Sequence, residues 1–208
     1  MEEIFDKKSK KKVLCQTMNC EDNITVLWKK LMEKSPSLLE QTVCSNPDCH
    51  AYTTFFPAMP VNHKIIMKKG FSALEKALEF YDVVYNIPCR LCKLGKQTRQ
   101  NVLKQYLYIE LDIRGCTTEK SGRKGKLRDF LVRICLNNQN DDGISCNLCF
   151  RLSGIAAYDT GHYLAYCRKL SGTWTKFNDL KSKPEFVSPG LELEPHGAFY
   201  VLEEKVII

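Results

Sequence analysis

The sequence predicts an α+β protein built on a twisted antiparallel sheet. Three observations carry that expectation. Two helix-like stretches come early, strand-like stretches crowd the second half, and turn residues separate those strands. The 208 residues allow one domain, or a domain with one large subdomain. With 44% hydrophobic and 26% charged residues, composition excludes a collagen-like repeat, a coiled coil and a globally disordered chain.

The first helix is expected from Glu21, capped by Asp22 or Asn23. Ile24, Leu27, Trp28 and Leu31 recur at three- and four-residue steps until Ser35-Pro36 ends the pattern. A second helix is expected to open at Ser72, where Ser72 and Glu75 have capping-box spacing and Leu74, Leu78 and Tyr81 share a face. Short strands are expected at Thr53–Phe56 and Lys64–Met67. A longer one at Gln105–Ile113 sets Tyr106 and Tyr108 on one side and Leu107, Ile109, Leu111 and Ile113 on the other. Phe130–Leu136 follows a basic loop, and Asn137–Gly143 reads as turn or loop. Phe150–Tyr158, His162–Arg168, Thr173–Phe177 and Ala198–Glu203 complete the strands. Residues 1–21 are polar, basic and without periodicity, and read as a loose segment ahead of a domain at 22–208.

Apolar runs are too short to span a bilayer, and the start of the chain has no secretory h-region. The expected compartment is cytoplasm or nucleus, where paired cysteines favour metal over disulfide. The net charge of +7 gathers in Lys7–Lys12 and Arg123–Arg128. Such runs suit nuclear import or an acidic surface, but neither interleaves aromatics for base stacking, so nucleic acid is not the expected partner.

Eleven cysteines then need an account. Cys44 and Cys49 bracket four residues and Cys89 and Cys92 bracket two, each pair beside a proline. Two such knuckles supply the four thiolates of a tetrahedral Zn²⁺ site. Cys15, Cys20, Cys146 and Cys149 have similar spacings, read either as a second site or as coincidence. Cys116, Cys135 and Cys167 are single, and read as small buried hydrophobes.

One constellation carries chemistry. Gly161-His162-Tyr163 opens a strand, and Trp174-Thr175-Lys176-Phe177-Asn178-Asp179 ends another. A thiol protease uses a histidine to hold its thiolate and an Asn or Asp to orient the ring. Together with Leu152, Gly154, Ala165, Tyr166 and Ala198–Leu202, this stretch resembles the His box of the ubiquitin-specific proteases, the papain-like cysteine deubiquitinases. The resemblance covers about residues 36–205. It implies zinc-ribbon fingers at about 42–105 holding a structural Zn²⁺ on Cys44, Cys49, Cys89 and Cys92. It also implies a palm at about 105–208, with His162, Asn178 and Asp179 at the catalytic positions.

The family's Cys box, Gly-Leu-x-Asn-x-Gly-Asn-Thr-Cys-Tyr-x-Asn, does not occur in the sequence. Only 23 residues separate Cys20 from Cys44, whereas the family's thumb needs on the order of a hundred residues. The loop ahead of His162 is shortened to Tyr158-Asp159-Thr160. The resemblance therefore implies a pseudoenzyme that binds ubiquitin, a ubiquitin-like protein or another partner, or that forms a homodimer through the exposed palm face. Two alternatives stand beside it. One is part of an active deubiquitinase whose Cys box lies in a longer chain or a partner. The other is a basic zinc-ribbon scaffold for nucleic acid.

Overall fold

The computed structural model describes residues 2–6, 11–15, 23–111, 123–139 and 145–207, with backbone alone for 2–6, 11–15, 139 and 207. The expectations for Asp22, Cys20, Asp112-Ile113, Cys116 and Asn140–Gly143, and for the Cys15 side chain, lie outside the described residues.

In chain order the elements are β1 (Glu2–Asp6), β2 (Lys11–Cys15), α1 (Ile24–Leu31), β3 (Leu38–Cys44), β4 (Tyr52–Phe56), α2 (His63–Lys69), α3 (Leu74–Ala77), β5 (Val83–Pro88), β6 (Lys96–Leu103) and β7 (Tyr106–Glu110). Then come β8 (Gly125–Lys126), β9 (Arg133–Gln139), β10 (Ser145–Asp159), β11 (His162–Arg168), β12 (Trp174–Phe177), β13 (Glu185–Val187) and β14 (Glu192–Ile207). The architecture is mostly antiparallel sheet with few helices. Among the described residues an eight-stranded sheet runs β13-β12-β11-β10-β14-β7, with β8 and β9 attached. A four-stranded sheet runs β4-β3-β6-β5. Where the sequence suggests a loose N-terminal segment, β1 pairs with β2.

The large sheet hides one face under a core of Leu107, Ile109, Phe150, Leu152, Ile155 and Leu164, joined by Ile66, Phe71 and Leu74 from the short helices. On the other face lies α1. Asn23 caps it through Oδ1 to the Thr25 N–H at 2.7 Å. Trp28 stacks on Tyr108 with ring centroids 4.9 Å apart and meets Phe199 edge-on at 4.9 Å. The Tyr108 ring lies flat across Gly197, where an added Cβ would stand 2.5 Å from Cε2, so only glycine admits it. The anticipated apolar stripe of α1 is largely uncovered, however: Leu27 is 48% and Leu31 70% exposed.

Several expectations are corrected. Lys64–Met67 is not a strand but the middle of α2, because Ile66 must point into the core while its lysines face water. The helix expected from Ser72 shrinks to a 3₁₀ turn at Phe71–Ala73 and a single α turn, α3; no Ser72 capping box forms, and Leu78 is already extended. Tyr81 leaves that helix and donates its hydroxyl to Glu40. Asn137–Gln139 continues β9 rather than turning.

The cysteines outside the two knuckles are also corrected. Cys135 and Cys149 face each other across β9 and β10 and form a disulfide. Cys135 is therefore not a free buried thiol, and Cys149, being bonded, offers no thiolate to a second metal in partnership with Cys146. Cys146 is buried and donates its thiol to the Asn138 carbonyl at 3.1 Å. Three positions apart on a strand, Cys146 and Cys149 point to opposite faces, so their C-x2-C spacing makes no knuckle. Cys167 is exposed rather than buried. With 14 residues of separation, the cross-link contributes on the order of 3 kcal/mol through loop closure. Urea unfolding in reductant should therefore show a loss of about 2–3 kcal/mol against the oxidised chain. Superimposable curves would show that the bond does not form in solution.

Candidate functional site

Two sites emerge, one at the tip of the small sheet and one at the end of the large sheet. In the small sheet β3 ends at Cys44 and β5 at Pro88, just ahead of Cys89. The strand between them, β6, pairs Gln97 with Cys44 on one side and with Ile87 on the other. That register brings the two knuckles face to face. The Sγ atoms of Cys44, Cys49, Cys89 and Cys92 all lie within 4.8 Å of one another, with Cys44–Cys92 and Cys49–Cys89 each at 3.7 Å. Four sulfurs bound at about 2.3 Å to a tetrahedral ion stand about 3.8 Å apart, so the cluster has the dimensions of a four-thiolate zinc site.

Backbone amides complete the cradle. The N–H groups of Asn46, Cys92 and Gly95 point at Cys44, Cys89 and Cys92 Sγ at 3.4, 3.5 and 3.4 Å. Gly95 is required here, because a Cβ would meet Cys44 Sγ at 2.5 Å and Asn46 N at 2.9 Å. Donation from Gly95 and Leu94 N–H groups lowers the Cys92 thiol to about 6, whereas burial pushes Cys49 up to about 12. The four thiols thus differ widely in how readily they ionise, and a divalent ion would make all four thiolates.

At the second site His162 is the first residue of β11, opposite Asp159, and Asn178 and Asp179 follow the last residue of β12. Because Ala165 pairs with Phe177, the three predicted residues come to the same end of the sheet. Their side chains are not joined by hydrogen bonds. Asn178 Oδ1 accepts from the Leu180 N–H at 2.9 Å, and the His162 Nε2 atom is buried without a partner. Asn178 and Asp179 instead line a cleft of about 490 Å³ with Tyr163, Ala165, Phe177 and Lys183.

Sequence reasoning passes over His196. It is 1% exposed, its Nδ1 lies 2.9 Å from the Tyr163 hydroxyl, its ring stacks on Tyr158, and its Nε2 is 3.5 Å from Glu194. Nothing in its local sequence, Glu194-Pro195-His196-Gly197, signals that environment; it arises only when β14 pairs with β10.

A third feature is an apolar groove of about 390 Å³ between α1 and the large sheet, lined by Trp28, Tyr106, Gly154, Cys167, Phe199 and Val201. No helix among the described residues is long and apolar enough to cross a membrane.

The fold and the thiol cluster together define a mostly antiparallel-sheet protein with a paired-knuckle, four-cysteine centre. No family model matches the sequence, and no curated protein matches it. Among solved structures the chain is similar to the SAGA Ubp8/Sgf11/Sus1/Sgf73 DUB module bound to ubiquitin aldehyde, at 20% identity and a TM-score of 0.44, over 80% of this chain and 41% of that one. It is similar to the yeast SAGA DUBm carrying a mutant Sgf73, at 22% identity and a TM-score of 0.44, over 81% and 41%. It is also similar to the Saccharomyces cerevisiae PAN2 pseudoubiquitin-hydrolase, at 14% identity and a TM-score of 0.39, over 80% and 54%. The chain thus spans about two fifths of the length of the DUB-module chains it matches.

Proposed function

We propose that this chain is a ubiquitin-specific-protease-like palm and fingers unit that holds a structural zinc ion and binds a protein partner rather than cleaving one. Ubiquitin or a ubiquitin-like protein is the first candidate, on the strength of the Gly161–Tyr163 and Trp174–Asp179 boxes. The thiol census carries the non-catalytic reading. Among the residues whose side chains are described, four cysteines form the metal cluster, Cys135 and Cys149 are bonded, and Cys146 is buried against Asn138. Cys167 is exposed, but it lies five positions along β11 from His162, about 16 Å away. Acyl transfer needs a thiolate within hydrogen-bond reach of its histidine, and none of these thiols meets that condition.

The partner surface is the face that carries α1. Leu27, Leu31, Phe177 and Phe186 are exposed there, at 48, 70, 44 and 77%. Exposed apolar side chains favour a protein partner or a second copy of the chain over nucleic acid.

The purified chain should release no fluorophore from a ubiquitin C-terminal coumarin substrate, and His162→Ala should change nothing in that assay. Hydrolysis that disappears with His162→Ala would overturn the non-catalytic reading and favour the enzyme.

A further inference from the structure

We propose that Gln97 is a positioning residue for the metal, delivering a charge-assisted hydrogen bond to the sulfur of Cys89. The inference rests on the zinc reading of the four-cysteine cluster and extends it to a residue outside the ligand set. Gln97 is 1% exposed, a burial that a polar amide tolerates only when its hydrogen bonds are made. Its Nε2 donates to Cys89 Sγ at 3.2 Å. Its Oε1 accepts from Arg99 Nη2 at 3.3 Å. These two contacts fix the orientation of the amide. A guanidinium only donates, so the oxygen must face Arg99 and the NH₂ must face the sulfur.

The result is a relay of Arg99 to Gln97 to Cys89 Sγ that carries part of a positive charge toward a ligand. The other N–H groups aimed at these sulfurs belong to the backbone of the knuckles and come with the turn itself. Gln97 is a side chain, placed between the knuckles by the β6 register, and its contact is shorter than those backbone contacts at 3.4 and 3.5 Å. A site with four thiolates around a divalent ion has a net charge of −2 and is stabilised by each such donor. Loss of an outer partner of this kind typically costs 10–100-fold in metal affinity.

The test uses the full chain as wild type, Gln97→Leu and Gln97→Glu. Zinc affinity is read by competition with a chromogenic chelator, and the cobalt-loaded protein by its sulfur-to-metal charge-transfer band. Gln97→Leu should weaken zinc binding by about 10–100-fold. It should also move the cobalt band to longer wavelength, because a sulfur that loses its donor holds its electrons less tightly. Gln97→Glu keeps the size of the side chain but sets an anion against the thiolate, so it should weaken zinc at least as much. It also serves if the leucine variant does not fold. Unchanged affinity and an unchanged cobalt band in a folded variant would overturn the role of Gln97 and leave the zinc reading standing. A wild-type chain that takes up neither metal would overturn the zinc reading itself.

Discussion

Stripping the metal from the purified chain with a strong chelator, or replacing Cys89 with serine, is expected to unfold the distal part of the small sheet while the large sheet stays intact. The β4-β3-β6-β5 sheet is poorly equipped to stand alone. Near the tip its buried positions are polar, with Thr42, Gln97 and Asn101 each 2% exposed or less. Its other face leaves Val43, Phe55 and Tyr85 more than half exposed. Little apolar burial is therefore available to offset the cost of ordering about 1–2 kcal/mol per residue. Structural zinc supplies an apparent 10–16 kcal/mol in comparable small sites, and on the proposed zinc reading that binding free energy would be folding free energy. Only the base of the sheet, at Leu38 and Leu103, reaches the main core. Hydrogen exchange should show the amides of residues 40–56 and 83–101 losing protection on chelation, with those of β10 and β11 unmoved. Elemental analysis should find one zinc per chain. Protection that is indifferent to chelator would sink the idea.

Legibility in the sequence follows the physics of each element. His162–Arg168 is a strand-like run set between glycine-bearing turns, and the strand falls where expected, with Leu164 and Tyr166 buried and Ala165 and Cys167 exposed. The four-cysteine cluster is legible because metal ligation needs closely spaced pairs, and spacing survives in one dimension. The strand that assembles it is not legible. Lys96–Leu103 reads Lys-Gln-Thr-Arg-Gln-Asn-Val-Leu, with almost no apolar signal, because it is held by ladders on both sides and its buried Gln97 and Asn101 amides donate to Cys89 Sγ and the Tyr81 carbonyl. Helix α2 is hidden for the opposite reason. Ile65-Ile66-Met67 has strand-like composition, and only packing of Ile66 into the core selects the helix. The disulfide depends on the register of β9 against β10, which no local spacing encodes. At the His162 site the sequence brings three residues to one end of a sheet, but side-chain orientation is decided by local turns, such as the one that takes Asn178 Oδ1 to Leu180.

Tyr108→Ala is expected to destabilise the large sheet by about 3–5 kcal/mol and to release α1. Tyr108 is fully buried, and its ring is held between Trp28 at 4.9 Å, Phe199 at 4.9 Å and the bare backbone of Gly197. Removing the ring leaves a void whose walls cannot close, since Gly197 has no side chain to move into it and β7 and β14 are fixed by their ladder. The hydroxyl matters separately. It shares a 2.7 Å hydrogen bond with Thr25 Oγ1, itself 1% exposed, so Tyr108→Phe should cost about 1–3 kcal/mol by stranding that buried partner. An eight-residue helix has little stability of its own, and α1 depends on these contacts and on the Trp28 Nε1 bond to the Pro57 carbonyl at 2.9 Å. Urea denaturation should rank the variants wild type, Tyr108→Phe, Tyr108→Ala. Limited proteolysis should cut within residues 24–31 only in the alanine variant. Because α1 forms one wall of the apolar groove, that variant should also lose whatever protein binds there; a variant that keeps its partner while α1 is cleaved would move the docking surface away from this face.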